Sequence, residues 1–502
     1  MTLKSVLTYL KRDNKRVTFI SLSILMFLAL YVRLLFSSHS LWLDELTTAW
    51  VVGASFLDIF ERCWANNLSP LYYCIIYASK SIFGYSEFGL RLPGIIAGVL
   101  TVLVGFKVSK IFTKSIFWSL IVALLIAFTP NLIYFSLEVR PYSFVILIAL
   151  IHIKLFFDFI NRLDSIALAL MLAFLSGVLV LLHYTSASLM LVELLIAPIL
   201  LEKGLKFSRR EYLHIALQVL IPLVLISPFL GHLYYLFIQN EILGSFIEKV
   251  GIVAIITHSS ELLYFVLVPL VFAVIVDFFI TKKDYHIHIN KKTISLILLF
   301  FLPLILHWFI TEIGIATIFL SRYVAWTIVL PIIASVVVCK GLKSKISKLV
   351  FISLILLYIF IPYVQGMQSD HRLRNQGLER KLSIRGNIVY DWKEAVNYTN
   401  TLSLDVNKVY VTPGLVETKM ESFPLGKEEL YQNYLLCTIN SLYLLKESYR
   451  KKAIAINNVG EIPVAMKNYL VIGTSDIETS DKFIELNKES SNTTRKSIYY
   501  VE

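Results

Sequence analysis

Long apolar runs constrain this 502-residue chain more than any other feature of its sequence. About eleven runs have the roughly 20 residues that a helix needs to cross a bilayer. Only 16% of the residues are charged, which is too few for the surface of a typical soluble protein. The sequence therefore predicts an all-α polytopic membrane domain over residues 1–365. The runs lie near residues 17–36, 90–106, 115–135, 142–160, 166–182, 186–201, 212–232, 254–280, 293–311, 323–339 and 348–364.

The first run is predicted to remain as a membrane anchor. It is longer than the apolar core of a signal peptide, and no small-residue cleavage site follows it.

Basic residues in alternate loops predict the orientation of the chain. Loops rich in Lys and Arg stay in the cytoplasm, so the N-terminus is predicted inside and the C-terminal segment outside the plasma (inner) membrane. The net charge of +12 is attributed to this topology and not to binding of nucleic acid. The basic loops contain Lys11, Arg12, Lys15, Arg16, Lys107, Lys110, Lys114, Arg162, Lys203, Lys206, Arg209, Arg210, Lys282, Lys283, Lys291, Lys292, Lys340, Lys343, Lys345 and Lys348.

One short apolar segment tests this topology. The stretch PLYYCIIYASKSIF, Pro70–Phe83, is interrupted by Lys80, and as a membrane span it would reverse the orientation of every later loop. We interpret it as an interfacial helix on the outer face, with its tyrosines at the level of the headgroups. A short true span is the alternative.

The composition changes after Pro362. Residues 366–502 are polar and of mixed charge, and they are long enough for one small domain. The stretch YDWKEAVNYTN, Tyr390–Asn400, has helical spacing, whereas NKVYVTP and NYLVIGTS have the β-branched residues of short strands. We predict a small α/β domain on the extracytoplasmic side.

Ionisable and aromatic residues gather in the loops that this topology places outside. Ionisable groups at the membrane are costly, so their concentration on one side indicates a functional site. Two adjacent acids, Asp44 and Glu45, directly follow the first run in HSLWLDELTTAW. The outer set consists of Asp44, Glu45, Glu61, Arg62, Tyr72, Glu87, Arg91, Glu138, Arg140, Tyr142, His183, Tyr184, Glu241, Glu248, Lys249, His258, Glu312, Arg322 and Tyr323.

This set favours a particular chemistry. A carboxylate near an apolar wall can act as a general base, and arginines can grip a phosphate bidentately. Together they suit transfer of a group linked to a lipid phosphate onto a hydroxyl or amine. The pairs Glu138/Arg140 and Glu87/Arg91 are explained equally well as ion pairs at helix ends, and His183 is better explained as a capping or interfacial residue. Among these residues, Asp44 is the one that a purely structural role explains least well.

Several motifs are absent from the sequence. It has no GxxxxGK[ST] loop, no GxGxxG after a strand and no DxD, so use of ATP, NAD or a nucleotide sugar is not predicted. Its four cysteines have no CxxC spacing. The pair His286 and His288 lies beside four lysines in a predicted cytoplasmic loop, where solvation is a better explanation than a metal.

The order of the motifs resembles a known superfamily. A span followed by LWLDE, SPLYYCIIYASKSIFGYSEFGLRLPG, YFSLEVRPYSF and FLSRYVAWTIVLP is similar to the protein mannosyltransferases and aminoarabinose transferases. These are GT-C fold glycosyltransferases of family 39 type. The resemblance covers roughly residues 15–340 and implies an enzyme that uses a polyprenyl-phosphate sugar donor, usually with inversion at the anomeric carbon.

The resemblance also implies roles for individual residues. Asp44 matches the catalytic aspartate, Glu45 its acidic neighbour and Glu138 the acid of an ExRxY stretch. Arg91 and Arg140 match arginines associated with the donor phosphate. The further candidates are Arg322 for the phosphate and Tyr72, Tyr142, His183 and Tyr323 for the lining of the substrate site.

One departure bears on metal use. Relatives often carry a His or an acid–lysine pair just before the PLYY-like stretch, where this chain has Leu68 and Ser69. We therefore predict no obligatory cofactor and leave the metal unknown.

Two alternatives to the enzyme remain at this point: a transporter or lipid flippase, and a non-catalytic assembly subunit. The absence of repeated halves disfavours the transporter. The acceptor could be protein, lipid or polysaccharide.

Overall fold

The computed structural model describes residues 15–37, 40–63, 69–201, 206–234, 251–281, 290–316, 318–368, 392–412, 428–456, 462, 468–474, 484–485 and 496–501. The chain divides into two compact units. The first consists of Met1–Leu35, Gly94–Leu137 and Pro141–Val364, and the second of Phe36–Pro93, Glu138–Arg140 and Gln365–Glu502. The predicted boundary at residue 365 stays a prediction.

Helices dominate the chain up to residue 368. The α-helices are α1 (Lys15–Leu35), α2 (Leu43–Gly53), α3 (Ile59–Arg62), α4 (Pro70–Phe83), α5 (Glu87–Thr113), α6 (Ile116–Phe128), α7 (Pro130–Leu137), α8 (Tyr142–Asn161), α9 (Ile166–Leu182), α10 (Ala187–Leu200), α11 (Arg209–Ile226), α12 (Val253–Thr281), α13 (Lys291–Glu312), α14 (Val329–Gly341) and α15 (Lys345–Gln368). Short 3-10 helices cover Tyr184–Ser186, Ser227–Phe229 and Ser321–Ile328. All eleven predicted apolar runs fall on helical segments, as their composition requires.

Six helical segments in the described part of the chain are long and apolar enough to cross a membrane. The helices α6 and α7 meet at a bend of 53° and make a seventh span if they are counted together. The bend falls at Thr129 and Pro130, where proline cannot donate a backbone hydrogen bond. The shorter apolar helices Ile166–Leu182, Tyr184–Leu200 and Val266–Thr281 have 10–17 residues. The chain is a multi-pass membrane protein, and three of the predicted runs correspond to these shorter apolar segments.

Buried polar contacts hold the helices of the first unit together. His152 in α8 contacts Glu193 in α10 through Nδ1 at 3.1 Å and Ser176 in α9 through Nε2 at 2.8 Å. The side chain of Gln218 in α11 donates to the carbonyl of Ala169 in α9 at 2.9 Å. Such hydrogen bonds join helices in a setting where apolar surface gives little drive for association.

The second unit contains the C-terminal elements. They are α16 (Trp392–Thr401), β1 (Lys408–Val411), α17 (Glu428–Leu435), α18 (Cys437–Asn440), α19 (Glu447–Arg450), β2 (Ala453–Ala455), β3 (Tyr469–Thr474), β4 (Ile484–Glu485) and β5 (Lys496–Val501). The strands form one sheet in the order β2-β1-β3-β5-β4. Strand β1 is parallel to β2 and β3, whereas β5 is antiparallel to β3 and β4. The predicted helix and both predicted strands are present, which confirms the α/β character of this segment.

The helices α2, α3 and α4 also belong to the second unit. Helix α4 coincides with the predicted interfacial helix, and it buries Tyr72, Tyr73 and Ile76 while Ile82 and Phe83 are exposed. Its position at the membrane surface stays a prediction.

Some residues of the sequence analysis lie outside the described residues. They are Lys11, Arg12, Leu68, Lys203, Glu241, Glu248, Lys249, Lys282, Lys283, His286 and His288, and of His258 only the backbone is described.

Candidate active site

Helix α2 carries the two adjacent acids in its first turn. Trp42 precedes the helix in an extended conformation, and Asp44 and Glu45 follow it. The hydroxyls of Thr47 and Thr48 donate to the backbone carbonyl of Asp44 at 2.8 and 3.2 Å. The side chain of Asp44 is partly exposed, whereas that of Glu45 is buried. The amino end of a helix favours negative charge, so both carboxylates lie where their anionic forms are stabilised.

Glu45 is tied to the surrounding backbone and to Arg91. Its carboxylate accepts the backbone N–H of Trp42 at 3.1 Å and that of Val139 at 2.8 Å. The Nη2 atom of Arg91 donates to both of its oxygens, at 3.0 and 3.3 Å. The exposed fractions of the side chains are 2% for Glu45 and 5% for Arg91, so this is a buried ion pair. Glu45 therefore joins the start of α2 to two distant segments of the unit.

Arg91 also donates to main-chain carbonyls. Its Nη1 atom donates to Ser37 at 3.0 Å and its Nη2 atom to Ser40 at 3.3 Å. These carbonyls belong to the segment that leads into α2. The contacts give Arg91 a direct part in shaping the segment before Asp44, while its assignment to the donor phosphate stays a prediction.

Glu138 and Arg140 lie in a tight turn of the same unit. The backbone N–H of Arg140 donates to the carbonyl of Glu138 at 2.7 Å, and both side chains are buried. Tyr72 of α4 is close to this turn, because the charges of Arg140, Glu45 and Glu138 all act on its phenol. Burial raises the pKa of Tyr72, which keeps the phenol protonated at neutral pH. The unit thus brings a protonated phenol, two acids and an arginine together.

The carboxyl end of α2 is capped by two cations. Lys80 of α4 donates through Nζ to the carbonyls of Val52, Gly53 and Ala54, at 2.7, 3.2 and 3.3 Å. Arg62 donates to the carbonyl of Trp50 at 2.7 Å, and its guanidinium lies 4.6 Å from the centre of the Trp50 ring. Cations at this end complement the helix dipole. Both ends of the helix that carries Asp44 are therefore fixed.

The other predicted site residues form a cluster in the first unit. The ring of His183 lies 5.8 Å from that of Tyr142 and 4.8 Å from that of Tyr323, between centroids. The hydroxyl of Thr185 is 2.7 Å from His183 Nδ1 and donates to the carbonyl of Tyr323 at 3.2 Å. Because the hydroxyl has one proton, Nδ1 of His183 is the donor in their mutual bond. The guanidinium of Arg322 lies 5.7 Å from the Tyr323 ring centre.

The ten predicted site residues therefore fall into two groups. Six belong to the second unit: Asp44, Glu45, Tyr72, Arg91, Glu138 and Arg140. Four belong to the first: Tyr142, His183, Arg322 and Tyr323.

Sequence reasoning missed Arg33, which is fully buried in the last turn of α1. Its Nε donates to the Ser136 hydroxyl at 3.0 Å, and its Nη1 donates to the carbonyls of Ala29 and Ala127 at 3.0 and 3.1 Å. A Cβ at Gly98 would come within 2.9 Å of the same Nε, so this close packing requires glycine. An arginine inside a predicted span was the available signal.

The described residues contain no group of three or more His, Cys, Asp or Glu side chains arranged to hold a metal ion. Whether the protein uses a metal ion therefore stays unknown, as in the sequence analysis.

Comparison with known proteins adds three findings. The family model of dolichyl-phosphate-mannose-protein mannosyltransferase matches residues 67–232. No curated protein matches the chain by sequence. ArnT from Cupriavidus metallidurans, solved with bound undecaprenyl phosphate, has a similar structure: the TM-score is 0.51 at 12% identity, over 97% of this chain and 98% of that chain.

Two further solved structures show weaker similarity. ArnT from Cupriavidus metallidurans in the apo state has a TM-score of 0.48 at 12% identity, over 96% of this chain and 97% of that one. The Archaeoglobus fulgidus oligosaccharyltransferase, in complex with Zn and sulfate, has a TM-score of 0.45 at 10% identity, over 91% and 68%.

The likeness to ArnT extends over nearly the whole of both chains, so the chain is a polytopic membrane protein with the GT-C fold. The mannosyltransferase model matches the part that includes α4, Arg91 and the turn at Glu138 and Arg140. The chain is therefore similar to glycosyltransferases of the GT-C superfamily, in fold over nearly its whole length and in sequence over residues 67–232. This confirms the predicted fold class and supports the resemblance to GT-C glycosyltransferases. The matched range begins after Asp44 and ends before Arg322, so it does not bear on those two residues.

Proposed function

We propose that the protein transfers a sugar from a polyprenyl-phosphate donor to an acceptor on the extracytoplasmic face of the plasma (inner) membrane. The observation that carries the proposal is the pair of neighbouring acids in α2. Glu45 is buried in hydrogen bonds, while Asp44 beside it is a partly exposed residue in the first turn of α2. The undecaprenyl phosphate in the ArnT crystal structure supports a lipid-phosphate donor.

In this proposal Asp44 is the general base. It accepts the proton of the acceptor hydroxyl or amine while the acceptor's lone pair forms a bond to the anomeric carbon. The bond from that carbon to the phosphate oxygen breaks, and its electron pair leaves with the lipid phosphate. One in-line displacement inverts the anomeric centre, so a single base is sufficient.

The neighbouring residues orient the base and receive the donor. Glu45 and Arg91 fix the segment that leads into Asp44 through their ion pair and their bonds to the main chain. Arg140 is the donor-phosphate ligand in the second unit, with Glu138 and the Tyr72 phenol beside it. An arginine suits that role because its planar fork matches two phosphate oxygens.

The cluster of Tyr142, His183, Arg322 and Tyr323 lies within the first unit, and its part in lining a substrate site stays a prediction of the sequence. Its rings offer flat faces of the kind that carbohydrates stack on. The acceptor is a protein, a lipid or a polysaccharide, and the chemistry is the same for each.

The variant Asp44→Asn tests the proposal. It is nearly isosteric and removes the charge that accepts the proton, so transfer should fall at least ~100-fold, the usual contribution of a general base. The measurement is transfer of label from a polyprenyl-phosphate sugar by purified protein. The matched control is Asp58→Asn in the turn after α2, whose carboxylate accepts from the backbone and hydroxyl of Ser55 at 3.0 and 2.9 Å. Normal turnover by Asp44→Asn would remove Asp44 from the mechanism.

The same assay tests the other two functional classes. Release of free lipid phosphate with the label on a second molecule supports the transferase alone. A flippase would move the intact labelled lipid between leaflets, and an assembly subunit would leave it unchanged.

A further inference from the structure

The segment before Asp44 is held by the C-terminal part of the chain as well as by Arg91. The phenol oxygen of Tyr443 accepts the backbone N–H of Leu41 at 2.7 Å and donates to Glu87 Oε1 at 3.3 Å. Lys393 donates through Nζ to the same Glu87 oxygen at 2.6 Å. Its backbone N–H donates to the hydroxyl of Ser40 at 3.4 Å. All of these residues lie within the second unit.

The contact between Tyr443 and Leu41 is buried, whereas the Lys393 side chain that supports it through Glu87 is 45% exposed. Leu41 has no exposed surface and Tyr443 is 7% exposed. Trp392, next to Lys393, is also fully buried and anchors the start of α16. Burial raises the pKa of Tyr443, so its hydroxyl keeps the proton that it donates to Glu87.

The contacts lie within four residues of the proposed base. Ser40 and Leu41 immediately precede Trp42, the residue before α2, and Asp44 is in the first turn of that helix. Arg91 holds the carbonyl of Ser40, while Lys393 and Tyr443 hold its hydroxyl and the next N–H. Two residues of the C-terminal part thus fix the approach to the helix that presents Asp44.

We infer that Tyr443, supported by Lys393 and Glu87, is a positioning residue for Asp44, and that the C-terminal part of the chain is thereby a component of the catalytic apparatus. This inference rests on the proposed function. Tyr443 does not touch the reacting atoms. It acts by fixing the backbone from which Asp44 projects, where a displacement of about 1 Å can cost ~100-fold in rate.

The test is Tyr443→Phe, which removes only the hydroxyl. The control is Tyr449→Phe in the same part of the chain. The Tyr449 phenol is equally buried, but it bonds to the backbone of Leu402 and Leu404 and not to residues 40–41. Both substitutions delete one buried hydroxyl, so their cost in stability should be similar. Only Tyr443→Phe removes a hydrogen-bond partner from the segment before Asp44.

We expect Tyr443→Phe to lower kcat about tenfold, the equivalent of one neutral hydrogen bond, with the KM for the lipid donor unchanged. A purely structural defect would reduce the amount of folded protein and leave kcat per folded molecule as it was. Lys393→Gln is the second variant and should lower kcat in the same direction. Tyr449→Phe should leave kcat at the wild-type value.

Hydrogen exchange of the peptide covering residues 40–46 gives a readout that needs no donor. Tyr443→Phe should speed its exchange about tenfold, and Tyr449→Phe should not. Wild-type transfer with an unchanged kcat in Tyr443→Phe overturns the inference and leaves the proposed function standing. Faster exchange in Tyr443→Phe with no transfer by the wild type overturns the proposed function and, with it, the catalytic part of the inference.

Discussion

Asp44 and Glu45 are adjacent acids that differ in burial. Glu45 accepts bonds from two backbone N–H groups and an arginine, and it is 2% exposed. Asp44 is a partly exposed residue whose backbone carbonyl accepts from the hydroxyls of Thr47 and Thr48. A buried carboxylate with this many donors is a structural anchor, whereas a partly exposed one can meet a substrate.

The contrast predicts that replacing each acid by its amide has a different effect on stability. Glu45→Gln leaves Arg91 buried without its counter-charge, and the protein should lose about 3 kcal/mol of stability. Asp44→Asn should cost at most about 1 kcal/mol, the contribution of its charge at the amino end of α2. Thermal unfolding of both variants in one detergent checks this. Equal melting temperatures would show that the Glu45–Arg91 pair does not hold the loop together.

At the level of elements, α2 depends on α4. Lys80 interrupts the apolar face of α4 in the sequence, where it resembles a flaw in a membrane span. In the structure its ammonium group caps the carboxyl end of α2 and lies 4.9 Å and 5.3 Å from the ring centres of Tyr77 and Tyr85. The ammonium group of Lys80 therefore has its hydrogen-bond acceptors within the second unit. This agrees with the interpretation of α4 as an interfacial helix.

This arrangement predicts that Lys80→Met frays the carboxyl end of α2. The expected loss is about 1 kcal/mol, the usual upper contribution of a cation at an exposed helix end, and Lys80→Arg should restore most of it. Thermal unfolding and hydrogen exchange over residues 43–54 measure the effect. Lys451→Met is the control, because that lysine has only an exposed pair with Glu447. Wild-type exchange over residues 43–54 in Lys80→Met would refute the cap.

At the scale of the whole molecule, the second unit is built from segments far apart in the chain. It joins Phe36–Pro93, Glu138–Arg140 and Gln365–Glu502. The proposed base, the proposed phosphate ligand Arg140 and the positioning residue Tyr443 come from these three segments in turn. The surroundings of the proposed base are therefore formed by three segments of the second unit that are far apart in sequence.

The proposed sidedness of the membrane predicts a labelling pattern. Single cysteines at the exposed positions Ser55 and Lys206 should react with a membrane-impermeant maleimide from opposite sides. In intact cells Ser55→Cys should be labelled, and Lys206→Cys only after permeabilisation. The native cysteines Cys63, Cys74, Cys339 and Cys437 are replaced first so that they do not react. Labelling of both positions from the same side would contradict the topology and the extracytoplasmic site.

The sequence by itself determined the helical membrane architecture and most of the candidate residues. Apolar runs of bilayer length have few alternatives to a helix, because unpaired backbone groups are too costly in lipid. For the same reason, acids and arginines at the ends of such runs stand out, as Asp44, Arg91 and Arg140 did. The short strands of the C-terminal segment were also predictable, because β-branched residues cluster in β1 and β3.

Only the tertiary structure decided which of two neighbouring acids is anchored and which is partly exposed. That choice depends on contacts between Glu45, Val139 and Arg91, which are up to 94 residues apart in sequence. It also assigned Lys80 to a helix cap and Tyr443 to the segment before Asp44, a separation of 402 residues between Tyr443 and its partner Leu41. Local periodicity contains no information on such contacts, because they form only when distant segments fold into one unit.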